Sequence, residues 1–395
     1  MASLTPGVAS RLVSDVDKAP FIPVKFLFNV VIWLALEALS ASEVELDPNK
    51  FVIELNITYP SIPYFSHDFS RECFPMPYQS SGMVHLIYMA RPIYGGWVTF
   101  TAHLSLKYSL PLYRIGSRTE EKQRDYGYGV QYQNRAPNDL PKGKLLITAI
   151  DKTYYEYLDK MPDGTLIVIH DPTEVTGKNK EPILRNLPRF RIITIRESVK
   201  KFLKDEYSLK SKFIVHPFYE YPFTKAKHPQ KAVSISRIDF DKHTDILLKA
   251  NAQLKDPIDI YGAINRQYVF FKLKELGFTR FYKGPFDKSF EDLDEILTDA
   301  KFVVDMSVIK HDGGGSQYTF LEAMYEECAL VINTKWVAGG KTEFEDGKNC
   351  FTVADEEELV ALLNRNPNTS RVLRGGRELL RPHIEVNWPK EVARL

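Results

Sequence analysis

Residues 302–350 read FVVDMSVIKHDGGGSQYTFLEAMYEECALVINTKWVAGGKTEFEDGKNC, and few folds accommodate that order. An apolar strand, a glycine-rich turn, a helix carrying Glu322 and a second apolar strand follow one another without a break. Strands that alternate with helices belong to a parallel sheet, since parallel neighbours need a crossover connection that a helix supplies. The turn Asp312-Gly313-Gly314-Gly315-Ser316 leaves the run Phe302–Met306, and consecutive glycines let backbone N–H groups approach a ligand with no side chain in the way. Residues Tyr318–Tyr325 carry apolar side chains at helical spacing, which places Glu322 early in a helix beginning where the turn ends. A helix start bears partial positive charge, so turn and helix together suit phosphate or sugar hydroxyls. On this segment alone, a plain strand-turn-helix with a solvated glutamate explains the residues equally well.

The upstream half adds cations. Residues Ala232–Leu248 read as a strand, a polar turn holding Arg237 and Lys242, and a helix. Two cations in a strand-to-helix loop suit a diphosphate, because each neutralises one charge and arginine can chelate two oxygens. Ile258–Gly262 gives a second strand ending in Gly262, and Phe281–Pro285, with Lys283, gives a third. The ligand of such a parallel sheet lies at the carboxyl ends of its strands.

Residues 230–350 resemble the donor-binding domain of the retaining, family-4-like glycosyltransferases of the GT-B fold. Arg237 and Lys242 match the family's basic pair, which implies contact with a donor diphosphate. Glu322 matches the glutamate at its helix start, which implies a bond to the nucleotide ribose. Gly339, Gly340 and Glu343 match a later glycine pair and glutamate, and Asp346-Gly347-Lys348-Asn349 resembles its Asp-Gly-x-Asn turn. The resemblance implies a nucleotide-sugar substrate, a UDP- or GDP-sugar, with Gly262, Lys283, Asp312, Gly313, Gly314, Gly315 and Ser316 around it. One position departs: the family has an acidic residue eight positions before the helix glutamate, where this chain has Gly314. Asp312 lies two residues away and is the candidate replacement. Gln317–Glu322 is also similar, more weakly, to the corresponding segment of bacteriophage DNA alpha-glucosyltransferases.

A GT-B enzyme has two Rossmann-like domains facing a central cleft, and the sequence supplies the other one. Val84–Pro92 reads as a strand running into Ile93-Tyr94-Gly95-Gly96-Trp97, followed by the helical Val98–Leu106. By itself such a glycine pair is more often a tight turn than a site; the resemblance implies that Gly95 and Gly96 close over the donor. Further strands are expected at Pro111–Ile115, Lys144–Ile150 and Thr165–Ile169. The last ends in His170-Asp171, a place for acceptor binding or proton handling, or else a turn capped by Asp171. A helix over Val199–Glu206 and a short strand over Lys212–Phe218 precede a linker of about Tyr219–Gln230. The expected domains are thus 83–220 on the acceptor side and 221–395, with C-terminal helices, on the donor side.

A chain of 395 residues carries more than one domain, and its net charge of +1 gives no global basic field for nucleic acid. Tyr113–Arg135 is the local exception, interleaving Arg114, Arg118, Lys122, Arg124 and Arg135 with Tyr126, Tyr128 and Tyr132. Cations that meet phosphates and rings that stack make this loop a DNA or carbohydrate surface, although Glu120, Glu121 and Asp125 weaken the case for DNA. Cys73, Cys328 and Cys350 have no metal-ligand spacing and fit free thiols in a reducing, cytoplasmic compartment, or a host's cytoplasm if the chain is viral. Residues 1–82 form an N-terminal extension. Its apolar stretch Phe26–Leu39 is short of the roughly twenty residues a bilayer span needs and reads as a core or interface helix. Phe51–Tyr59 reads as a strand, and the extension is a candidate protein-binding segment.

The expected activity is a retaining transfer from a nucleotide sugar to a hydroxyl acceptor, with Arg237 and Lys242 stabilising the leaving phosphate without a metal. Glu322 would hold the donor and His170 would contact the acceptor. Alternatives are the same transfer onto modified DNA bases, a non-catalytic GT-B-like binding protein, and a sugar-nucleotide epimerase.

Overall fold

The computed structural model describes residues 83–90, 95–115, 127–177, 180–338 and 341–395. The expectations for residues 1–82, for Arg91–Tyr94, for residues 116–126 of the basic loop, and for Gly339 and Gly340 lie outside these.

Two parallel sheets, each flanked by helices, make two Rossmann-like lobes within one compact unit. The first lobe contains β1 (Val84–Met89), β2 (Leu112–Ile115), β3 (Tyr132–Arg135), β4 (Lys144–Ile150), β5 (Leu166–Ile169), β6 (Arg191–Thr194) and β7 (Ser211–Phe213). The second contains β8 (Lys231–Ile235), β9 (Asp259–Tyr261), β10 (Tyr282–Gly284), β11 (Ala300–Asp305), β12 (Ala329–Asn333) and β13 (Phe351–Val353). The strand orders are β3-β2-β1-β4-β5-β6-β7 and β10-β9-β8-β11-β12-β13. Both orders reverse beside the lobe's first strand, which opens a crevice at the carboxyl ends of β1 and β4 in one lobe and β8 and β11 in the other. Both faces of these sheets are covered, so their central strands are apolar without alternation: β1 and β12 are buried at every residue.

The flanking helices include α1 (Gly95–Tyr108), α2 (Glu197–Tyr207), α3 (Thr244–Asn251), α4 (Phe290–Leu297), α5 (Tyr318–Tyr325), α6 (Ser370–Glu385) and α7 (Trp388–Ala393). Helix α1 is buried continuously from Val98 to Ser105. Such all-round burial marks a central helix, and α1 packs on β1 and β4 of its own lobe and on α5 of the other. An aromatic cluster fills this junction. His103 of α1 stacks on Tyr318 of α5 at 4.6 Å, and Tyr221, from the segment joining the lobes, stacks on Phe290 of α4 at 4.1 Å.

Two elements differ from the sequence expectation. Tyr132–Arg135 is an edge strand paired with β2, where a loop was expected, because its sequence YQNR offers no apolar alternation. Helix α7 follows the second lobe in sequence but packs on the first. Lys212 ion-pairs with Glu391 at 2.6 Å, Lys144 Nζ donates to the Val392 carbonyl at 2.9 Å, and Trp388 Nε1 donates to the Val215 carbonyl at 2.8 Å.

Candidate anion site between the lobes

The turn after β8 presents its cations outward. Arg237 is half-exposed, its guanidinium held by Asp239 at 3.0 Å and Asp241 at 3.3 Å. Asp239 is fixed in turn, capping the Phe240 N–H and accepting from Asn265 Nδ2 at 2.9 Å. Lys242 Nζ donates to Ser307 Oγ at 2.7 Å and Gln317 Oε1 at 3.3 Å, bridging this turn to the start of α5. No side chain caps the first turn of α5, so Lys242 stands beside backbone amides whose partial positive charge adds to its own. Gly262 permits the approach of the β9 loop: its φ is +144°, and a Cβ there would lie 1.7 Å from the Ser236 carbonyl oxygen.

The turn after β11 is buried and braced. Gly314 has φ +73°, and a Cβ would lie 2.7 Å from the Lys341 carbonyl oxygen, so no residue with a side chain fits. Its N–H donates to the Trp336 carbonyl at 2.7 Å. The missing acidic side chain at this position therefore follows from the route of the backbone. Asp312 also does not project freely: it is buried, ion-paired with Arg196 of the first lobe at 2.6 Å, and accepts from Ser198 Oγ and the Gly313 N–H. Gly315 packs on the Arg196 side chain, and Ser316 Oγ donates to Glu343 Oε1 at 2.6 Å. Burial raises the Glu343 carboxyl above its ordinary value. Asn349 locks the following turn, donating from Nδ2 to the Glu343 carbonyl and accepting the Glu345 N–H.

Glu322 sits between these turns, in α5, buried at 5 % exposure. Its Oε1 lies 3.8 Å from His103 Nε2 of the first lobe, and neither atom has a hydrogen-bond partner among the described residues. The histidine tautomer is fixed by its other nitrogen: Nδ1 accepts the Tyr219 N–H at 2.9 Å, so the ring proton is on Nε2, facing the carboxylate. Burial pushes the His103 pKa down, against the opposing pull of Glu322, which keeps the ring neutral. Lys288 completes the group. Burial lowers its pKa, Arg237 and Lys242 push the same way, and Glu322 opposes them. Its Nζ reaches Thr99 of α1 at 3.5 Å, and its carbonyl accepts the Tyr128 N–H at 2.6 Å.

Across the junction, Gly95 and Gly96 open α1, and among the described residues nothing lies within 4 Å of the place a Cβ would occupy. Beneath them Trp97 Nε1 donates to Glu174 Oε1 at 2.6 Å, and Glu174 Oε2 accepts the His170 N–H at 3.0 Å. Burial drives the Glu174 carboxyl well above its ordinary range, against the two hydrogen bonds it accepts. His170 Nε2 donates to the Thr148 carbonyl at 2.8 Å, leaving Nδ1 as its accepting nitrogen, and burial lowers its pKa to about 4. Arg196 donates to the His170 carbonyl at 2.6 Å, linking His170 to Asp312.

The structure thus gathers Arg237, Lys242 and Glu322 at one junction, with the glycine turn beside them. Lys283 stands apart on edge strand β10, ion-paired with Asp259 at 3.1 Å. Tyr128 is a correction: its ring is withdrawn against Phe290 at 4.7 Å, so it is not free to stack on a base. Sequence reasoning missed His103, Arg196 and Lys288, none of which lies in a motif. Among the described residues no group of three or more His, Cys, Asp or Glu is placed to hold a metal, and no helix is long and apolar enough to cross a membrane.

No protein-family model matches this sequence, and no curated protein sequence does. Solved structures are similar in fold. Anabaena Alr3699/HepE, solved in complex with UDP-glucose, superposes with a TM-score of 0.60 at 13% identity, over 79% of this chain and 98% of that one. An alpha-glucosyltransferase solved with UDP and a 13-mer DNA containing a HMU base gives 0.60 at 14% identity, over 80% of this chain and 100% of that one. At such identities the likeness establishes the fold, two Rossmann-like lobes in the GT-B arrangement.

Proposed function

We propose that the chain is a retaining glycosyltransferase that takes its sugar from a nucleotide sugar, most simply a UDP-sugar. The observation that carries this is geometric: Lys242, in the turn that also holds Arg237, bonds Gln317 at the start of α5, Glu322 of that helix faces His103 of α1 at 3.8 Å, and Lys288 reaches Thr99 of α1 at 3.5 Å. The fold likeness to a protein solved with UDP-glucose supports it. The diphosphate would exchange with Asp239 and Asp241 for the Arg237 guanidinium and take the Lys242 ammonium and the uncapped amides of α5. Glu322 would accept the ribose hydroxyls, with His103 Nε2–H fixing its carboxylate from the other lobe. The sugar would lie between Gly313–Gly315 and Gly95-Gly96.

In the transfer, the acceptor oxygen bonds to the anomeric carbon while the bond to the phosphate oxygen breaks on the same face. The acceptor proton passes to the leaving diphosphate. Charge therefore accumulates on phosphate, where the three cations stand. Such a scheme asks for no carboxylate at Gly314. His170, whose Nδ1 is left to accept, would be the acceptor-side contact. The test is release and transfer of labelled sugar from UDP- and GDP-sugars, with Arg237→Ala as control. Turnover equal to wild type in that variant overturns the site.

A second acceptor class is favoured by one observation, the fold match, over 80% of this chain, to an alpha-glucosyltransferase solved with DNA. Hydroxymethylated DNA belongs in the same assay. Transfer to it, and not to simple sugars, would identify a base-directed enzyme.

A further inference from the structure

Phe240, Ile264, Phe270 and Phe271 are the large apolar side chains that stand exposed among the described residues, and all four belong to one patch of the second lobe. Phe270 is 62 % and Phe271 71 % exposed. Ile264 is bridged to Ile238, Phe240 packs on Tyr268 at 4.8 Å, and Asn265 ties the two loops through Asp239. The patch is thus continuous with the turn that carries Arg237. Between Val269 and Leu273 the backbone widens into a π-helical turn, an irregularity that recurs at functional sites. Beside it a groove of about 380 Å³ is lined by Ile264, Arg266, Val269, Phe270, Lys274 and Phe278.

The charge around this patch is one-sided. Arg266, Lys272, Lys274 and Arg280 are exposed, against the single acid Glu275 in the same stretch. Lys274 lies over the Phe270 ring at 5.4 Å and Arg280 over the Phe281 ring at 5.2 Å, which ties these cations to the apolar surface. Within residues 264–280 four exposed cations therefore flank the exposed rings against one acid, Glu275. In a chain of net charge +1 this is a local design rather than a global excess. Contiguous apolar surface rimmed by charge marks an interaction site.

We propose that this face docks on an anionic lipid bilayer, Phe270 and Phe271 entering the boundary between headgroups and acyl chains while the four cations meet lipid phosphates and carboxylates. Single-stranded nucleic acid fits less well. Phe270 and Phe271 meet edge to face at 85°, which offers no parallel platform for successive bases. The floor of the groove is aliphatic and aromatic, suited to hydrocarbon rather than to base edges.

The test is cosedimentation of the full chain with phosphatidylcholine vesicles, with and without phosphatidylserine. Two variants are compared with wild type, Phe270→Ser with Phe271→Ser, and Lys272→Glu with Lys274→Glu. None of these residues belongs to the junction site, so transferase activity in solution reports independently on folding. The expected result is binding to the anionic vesicles alone, weakened by salt, and reduced roughly fivefold or more for each cation removed. The serine pair is expected to lose about tenfold. Equal binding by wild type and both variants, or none by wild type, would overturn the proposal. So would patch variants that change the sedimentation coefficient, or affinity for a single-stranded oligonucleotide, in place of vesicle binding.

Discussion

Strands β8 and β11 are neighbours, yet the turns that leave them are built for opposite tasks. The β8 turn puts Arg237 at the surface and satisfies it with two carboxylates of its own loop, Asp239 and Asp241. A diphosphate can take their place at little cost, because an exposed ion pair is worth about 1 kcal/mol or less. The β11 turn hides Asp312 against Arg196 of the other lobe and threads Gly314 where no side chain fits. Exchange there would strand a buried charge. The contrast separates a turn whose cation is free to exchange its partners from one that braces the lobes, and it accounts for the glycine at position 314.

Substitution should break the two turns differently. Asp312→Ala leaves Arg196 buried without its partner and is expected to cost about 3–5 kcal/mol in urea unfolding. Adding Arg196→Leu should recover much of that loss. Additive effects of the two substitutions would show that the brace is not a coupled pair. In the β8 turn, Arg237→Ala should leave the urea midpoint within about 0.5 kcal/mol of wild type. Its transfer rate should fall by about a hundredfold to a thousandfold, the usual cost of a lost transition-state donor.

Helix α5 and its C-cap hold a second pair of acids, with Glu322 toward the junction and Glu326 one turn further on. Burial pushes the Glu326 carboxyl up to about 8, while Tyr221 Oη donates to it. A raised folded pKa means stability that is complete below the ordinary carboxylate value of about 4.5 and is lost as pH rises toward 8. The stability of Glu326→Gln relative to wild type should therefore grow with pH through that window, by roughly 1.4 kcal/mol per pH unit. A flat difference between pH 5 and 8, measured on a ~1-unit grid, would contradict the neutral carboxyl. The smallest effect is expected at His103. His103→Phe should raise the donor KM about tenfold with kcat little changed, and His103→Gln, which keeps an N–H donor, should restore part of it. Loss confined to kcat would place His103 outside donor binding.

Much of this was legible in the chain. β4 was expected at Lys144–Ile150 and forms there, because a parallel strand covered on both faces reads as a near-continuous apolar run, broken here only by Thr148 after the leading Lys144. The Arg237, Lys242 and glycine turns were legible because each is local. What could not be read joins residues far apart in sequence. Lys288 meets Thr99, Ser198 meets Asp312, and His103 meets Glu322 only once the lobes pack. The edge strand β3 and the return of α7 were hidden for a related reason, since partners outside the segment decide both.

The most direct test of the central claim is calorimetric titration of UDP-glucose into wild type, Arg237→Ala and His103→Phe. Saturable binding by wild type, abolished in the first variant and weakened in the second, is the result the site geometry predicts. Equal binding by all three would place the nucleotide elsewhere and contradict the assignment of this junction as the donor site.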